Sequence, residues 1–185
     1  MNESTGGARS GLMSKMTSLH HAWRPMTADD LDRVMAIAAV VHAGFFERRA
    51  VFAERLSLYP QGCWIAADED GAVSGYAFMH PARLGVPPPL DSLLLQIDRA
   101  ADCLYLHDVA LLPAARGAGL GRALMALLSG LMARESYAQA ALVAVHGSAP
   151  YWQSCGFAPQ AEVSAALREK LASYDAQAVY LVKRA

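Results

Sequence analysis

Apolar and polar positions along the chain fall into alternating strand-like and helix-like blocks. Trp23-Arg24-Pro25-Met26 reads as a short first strand, and Thr27, three residues before Asp30, is a variant of the capping box that opens a helix. Leu31, Val34, Ile37, Ala38 and Val41 follow at helical spacing. A second helix is predicted from Glu47 to about Leu58, closed by Tyr59-Pro60-Gln61-Gly62. Cys63–Ala67 predicts a strand, Asp70-Gly71 a hairpin turn in which glycine accepts positive φ, and Ala72 to about Met79 the returning strand. Residues 80–101 carry a weaker pattern. Pro87-Pro88-Pro89 must be extended, and Leu90 to Ile97 admits a helix with Leu93, Leu94 and Ile97 apolar. That segment is either a surface connection packed by its leucines or the border of a substrate pocket.

The second half is more regular. Cys103 to Leu112 is a strongly apolar strand interrupted by His107 and Asp108. Leu120 to Arg134 predicts a helix with Leu120, Leu124, Leu127, Leu128 and Leu131 on one face. Ala140 to Val145 is an unbroken apolar run, as expected of a strand covered on both faces. A short helix from about Ala149 to Ser154 precedes Gly156-Phe157. A helix near Ala165–Ala172 and a last strand, Ala178–Lys183, close the pattern. No internal repeat is visible, and the alternation predicts a mixed α/β fold.

Composition narrows the function classes. With 185 residues, 54% of them hydrophobic and 18% charged, the chain has enough apolar material for one globular core. A formal net charge of −1 gives no bulk attraction to nucleic acid or anionic lipid, so neither is expected as a partner. Cys63, Cys103 and Cys155 form no CxxC pair and no metal-ligand spacing. They read as idle thiols of a reducing, cytoplasmic compartment, with no metal expected. No apolar run reaches the roughly 18 residues that span a bilayer. Residues 1–21 are polar, rich in Gly and Ser, and without a signal-peptide core. They are expected to be a disordered extension ahead of one domain over residues 22–185.

The chemically informative stretch is Pro113-Ala114-Ala115-Arg116-Gly117-Ala118-Gly119-Leu120-Gly121-Arg122, which joins a strand to a helix. Glycines at 117, 119 and 121 let a bound group approach the backbone. The first amides of the following helix have no intrahelical acceptor, and the helix dipole makes that end positive. Together they form an anion site for a phosphate or diphosphate, to which Arg116 and Arg122 add charge. A P-loop would need Lys-Ser/Thr, which is missing. A dinucleotide fingerprint would need glycine at the position held by Arg122 and an acidic residue about 20 positions on.

Arg116-x-x-Gly119-x-Gly121, after an apolar strand and Pro113, resembles the acetyl-CoA diphosphate loop of the GNAT superfamily of N-acetyltransferases. The resemblance extends to Val143-Ala144-Val145 and Gly156-Phe157 downstream and to Trp23-Arg24-Pro25-Met26-Thr27-x-x-Asp30 upstream, so it covers about Trp23 to Arg184. It implies a GNAT fold, a central mixed but mostly antiparallel sheet with two splayed parallel strands, flanked by helices. Acetyl-CoA would enter between the strands at Tyr105–Leu112 and Ala140–Val145. The backbone of Val109, Ala110 and Leu111 would bond the pantetheine arm. The amides of Arg116, Gly117, Ala118, Gly119, Leu120, Gly121 and Arg122 would hold the diphosphate. The implied reaction is direct acetyl transfer from acetyl-CoA to a primary amine of a small molecule or peptide, in a ternary complex.

Two residues on the strand before the loop are candidates for proton handling. His107 matches a position that holds a catalytic histidine in the related arylalkylamine acetyltransferases, and many family members carry an acid where Asp108 stands. An imidazole suits a base at neutral pH, and Asp108 suits an anchor for the substrate ammonium. Strand alternation places the two on opposite faces unless a bulge intervenes. The family's usual acid is a tyrosine four residues before the Gly-Phe glycine, where this chain has Trp152. Tyr151 is the adjacent candidate, with water the alternative. A non-catalytic acyl-CoA-binding sensor that keeps the fold stays open as a second reading, and a homodimer is admitted.

Overall fold

A computed structural model describes residues 21–185, so the extension expected over residues 1–21 lies, but for His21, outside the described residues. The strands are β1 (Ala22–Pro25), β2 (Cys63–Ala67), β3 (Val73–Ala82), β4 (Cys103–Leu111), β5 (Gln139–Ala144), β6 (Ala158–Pro159) and β7 (Val179–Arg184). The helices are α1 (Leu31–Val41), α2 (Arg49–Leu58), α3 (Leu120–Glu135), α4 (Ala149–Ser154) and α5 (Ala165–Ala172). Among the described residues the strands form one sheet in the order β1-β2-β3-β4-β5-β7-β6. Only β4 and β5 run parallel; every other pair is antiparallel. This is the mixed, mostly antiparallel sheet flanked by helices that the family resemblance implies.

Alternation along β3 builds a core on each face. Tyr76 and Phe78 pack with Val34 and Ile37 of α1 and Phe52 of α2. Ala77 and Met79 point the other way, onto Leu124, Leu128 and Leu131 of α3. Each fully buried leucine contributes roughly 1.5–3 kcal/mol of transfer free energy, which secures α3 across β4 and β5. The Thr27–Asp30 capping box forms as predicted: Asp30 Oδ2 accepts the Thr27 amide at 2.8 Å and the Thr27 hydroxyl at 3.0 Å. Arg24 adds a bidentate pair to the same carboxylate, and that bond is the main reason its pKa falls to about 2.

Two predicted elements differ. Helix α2 begins at Arg49, so Glu47 belongs to the α1–α2 connection. Residues 90–97 form no helix. Asp91 and Leu95 both take positive φ, 50° and 64°, and Glu54 Oε2 and Oε1 accept the Leu94 and Leu95 amides at 2.7 and 2.8 Å. A carboxylate that captures consecutive amides competes with helical pairing there.

The decisive irregularity lies in β4. Phe78 pairs with Asp108 and Met79 with Leu106, which leaves His107 as the extra residue of a β-bulge. Before the bulge, Leu104 and Leu106 face α3; after it, Ala110 faces α1 and α2. The bulge resets the alternation and brings His107 and Asp108 to the same face.

Candidate active site

Strands β4 and β5 pair only at Leu104–Ala140 and Tyr105–Ala141 and then part, while β4 runs on to Leu111. The Leu112 amide donates to Ser74 O at 2.8 Å. Alternation from that bond turns the backbone groups of Val109 and Leu111 away from β3, into the gap, and those of Ala110 toward β3. Val109 and Leu111 line a cleft of about 920 Å³ that fills the gap.

The glycine-rich loop stands at the mouth of this wedge. Gly117 and Gly119 both have φ of 83°, with open space where a Cβ would stand. Gly119 is the N-cap of α3. A left-handed conformation costs a non-glycine residue roughly 1–2 kcal/mol, so glycine is what allows this turn to present its amides. Six loop residues line the cleft: Arg116, Gly117, Gly119, Leu120, Gly121 and Arg122. Ala118 is exposed on the same loop. Trp23 Nε1–H donates to Leu120 O at 2.9 Å and ties the first turn of α3 to β1. Arg116 Nε donates to Leu111 O at 3.2 Å, folding the side chain back onto the end of β4. The Arg116 amide is taken by Pro113 O at 3.2 Å, so the amides open to a bound diphosphate run from Gly117 rather than Arg116, beside a positive helix end and two guanidinium groups.

Two imidazole–carboxylate pairs stand on the other side of the wedge. His107 Nε2 lies 3.0 Å from Glu47 Oε2, and each side chain is 5% exposed. A carboxylate only accepts, so Nε2 carries a hydrogen, and in a neutral imidazole so held the lone pair sits on Nδ1. Asp108 Oδ2 accepts the Tyr76 hydroxyl at 2.7 Å, and Asp108 Oδ1 lies 2.9 Å from His42 Nε2, at ion-pair distance but without hydrogen-bond alignment. Burial by itself would lower the His42 pKa. The Asp108 carboxylate, the Val109 backbone and the charge of Glu47 outweigh it, and the net direction is upward. Burial, then the Asp108 charge, pushes the Tyr76 phenol well up and keeps it a donor. His80, buried beside His107, falls to about 3 through burial and that neighbour, and is neutral.

Tyr151 and Trp152 both line the cleft from α4. Trp152 packs at 5.9 Å on Phe157 in a T-shaped pair and serves as a wall of the core. The Tyr151 hydroxyl lies against Gly121, where a Cβ would collide with it. Burial, then Cys155, raises the Tyr151 phenol above its ordinary value, so it holds its proton at neutral pH. Cys63 and Cys103 are buried thiols pushed up to about 12, and all three cysteines are unpaired.

The sequence motifs locate His107, Asp108, the loop and α4. They do not reveal His42, Glu47 or Tyr76, which reach the site from the end of α1, the α1–α2 connection and β3. The one available signal, polar residues bracketing the apolar Phe45-Phe46 pair, does not say which strand they meet.

A parted parallel pair with a glycine-rich helix start at its mouth defines an α/β protein with an anion-suited loop opening on a deep cleft. Residues 23–157 match the model of the Acetyltransferase (GNAT) family, and the chain belongs to that family of acyltransferases. The fold is shared with the loading GNATL domain of CurA from Lyngbya majuscula, at TM-score 0.71 and 15% identity over 89% of this chain and 97% of that one. GphF, a GNAT-like decarboxylase in complex with isobutyryl-CoA, gives TM-score 0.69 and 18% identity over 88% of this chain and 98% of that one. The ribosomal-protein-S18-alanine N-acetyltransferase of Escherichia coli gives TM-score 0.59 and 16% identity over 89% and 93%. No curated protein matches the sequence. Among the described residues no helix is long and apolar enough to cross a membrane, and no cluster of three or more His, Cys, Asp or Glu side chains could hold a metal.

Proposed function

We propose that the chain moves an acetyl group from acetyl-CoA to a primary amine of a small molecule or peptide, by direct transfer in a ternary complex in the cytoplasm. The observation that carries this reading is the wedge: β4 and β5 part beyond Tyr105, and the amides of the 116–122 loop stand at the opening.

Acetyl-CoA supplies an activated acyl group as a thioester. The amides from Gly117 to Arg122, with the Arg116 and Arg122 side chains, bind its diphosphate. The backbone at Val109 to Leu111 takes the pantetheine arm, with Val109 and Leu111 supplying the groups that face the gap. An amide there polarises the thioester carbonyl and stabilises the oxyanion as it forms. Asp108 holds the incoming ammonium. His107 Nδ1 takes a proton from the amine, with Glu47 fixing the tautomer and stabilising the imidazolium. The N–C bond forms, the C–S bond breaks, Tyr151 gives its hydroxyl proton to the departing thiolate, and the second proton shed by the nitrogen returns to the phenolate through water. A positioned base of this kind contributes roughly 10²–10⁴-fold, and holding both substrates together supplies much of the rest.

The departure at Trp152 favours a second reading, an acyl-CoA sensor without turnover, because indole N–H is not a useful proton source. Thiol release from acetyl-CoA across a panel of amines separates the two. Release that depends on an added amine supports the transferase; tight CoA binding with no release on any amine supports the sensor.

A further inference from the structure

The acceptor end of the cleft is built unlike its cofactor end, and the difference is one of charge. Both arginines that line the cleft, Arg116 and Arg122, belong to the loop, and no Lys or Arg lines the opposite end among the described residues. That end instead carries two carboxylates, Glu47 and Asp108. Its imidazoles His42 and His107 each already stand within 3.0 Å of one of those carboxylates. Arg55 is the further cation nearby, but it is 0% exposed and does not line the cleft; Nη1 donates to Glu54 Oε2 at 3.1 Å, and Nε and Nη2 are buried without a partner. An acid group on an acceptor would meet like charge and find no lysine or arginine to pair with, a costly arrangement away from water.

The remaining walls are apolar or aromatic. Phe45, from the α1–α2 connection, meets His146, from the turn after β5, edge to face at 4.5 Å. This ring pair spans the two sides of the cleft. Leu90 enters from residues 83–102. Tyr174 presents its ring, because its hydroxyl is spent on Pro88 O. Cationic recognition at one point and apolar enclosure around it describe a ligand with an ammonium head and an apolar body.

We infer that the acceptor is a primary amine on an apolar alkyl or aryl body that carries no acid group, its ammonium set between Glu47 and Asp108. The inference rests on the amine-transfer reading and narrows it to a substrate class.

The test is a comparison of matched amines on the full chain at saturating acetyl-CoA. Hexylamine is set against 6-aminohexanoate, and benzylamine against 4-(aminomethyl)benzoate; each pair differs only in a carboxylate. The expected result is kcat/KM about 100-fold higher for the acid-free member of each pair, the scale on which an unpaired polar group is rejected. Leu90→Lys, which adds a cation to that wall, brings the ratio toward one. Equal or faster turnover of the acid-bearing members overturns the inference, as does an unchanged ratio in a folded Leu90→Lys variant. Turnover confined to peptide amines overturns it while leaving the transferase reading standing. Acetyl-CoA binding without thiol release on any amine overturns both.

Discussion

His107 and Asp91 meet the same carboxylate: Glu47 Oε2 lies 3.0 Å from His107 Nε2, and Glu47 Oε1 accepts the Asp91 amide at 3.1 Å. One side chain in the α1–α2 connection thus fixes an imidazole on β4 and a turn in residues 83–102. Arg48 reinforces the turn, its amide donating to Asp91 Oδ1 at 2.7 Å and its Nε at 3.0 Å. Removing the imidazole should cost chemistry rather than cofactor binding. His107→Ala is expected to lower kcat by roughly 10²–10⁴-fold, the worth of a general base, with acetyl-CoA affinity unchanged. Glu47→Gln keeps the shape and loses the charge, so its kcat falls by less. Steady-state rates alongside CoA titrations check both; an unaltered kcat in folded His107→Ala removes it from the proton route.

The His42–Asp108 pair makes stability depend on pH. Its net effect is to raise the folded-state pKa of His42 above the ordinary imidazole value of 6.5. A group raised on folding stabilises the protein fully below its unfolded pKa, and the contribution is lost as pH rises through the folded pKa. Wild type is therefore expected to lose stability relative to His42→Gln as pH climbs from about 6.5. Asp108→Asn, which removes the opposing charge, should flatten the difference. Urea midpoints of the three proteins between about pH 5.5 and 8.5 measure it; parallel curves would show that the pair contributes nothing.

Gly121 and Tyr151 are linked by space. A methyl group at 121 would collide with the Tyr151 hydroxyl, the far end of a side chain that can turn aside. Gly121→Ala should therefore fold, because glycine inside the first turn of α3 has no positive φ to protect, but it displaces the phenol. If Tyr151 delivers the proton to the thiolate, Gly121→Ala and Tyr151→Phe should lower kcat by similar factors, roughly tenfold or more. Stopped-flow thiol release gives the comparison. Full activity in Tyr151→Phe would assign the proton to water.

Most of the fold is legible because each element has its own local signal. The leucines of α3 repeat at helical spacing, β5 is an unbroken apolar run, and Thr27–Asp30 is a local capping pattern. The diphosphate loop is legible for the same reason, since strand, glycines and helix start are contiguous. The bulge at His107 is different. It depends on how β3 registers against β4, a non-local fact, and a single slip reverses which face each side chain takes. Glu47 and His42 are invisible for a related reason: they are ordinary polar residues around a helix–helix connection until tertiary packing sets them against β4. In residues 90–97 three apolar positions at helical spacing suggest a helix, but nothing local shows that the Glu54 carboxylate takes the amides of Leu94 and Leu95 that a helix would need.

The claim on which the rest depends is that the 116–122 loop and the opened edge of β4 bind acetyl-CoA. Calorimetric titration of acetyl-CoA into wild type, Gly119→Asp and His107→Ala tests it directly. Wild type and His107→Ala should each bind one equivalent with similar affinity. Gly119→Asp should bind at least about 100-fold more weakly, since its carboxylate faces the diphosphate from a left-handed turn that aspartate also adopts at a cost. Equal affinity in all three folded proteins, or no binding to wild type, would contradict it.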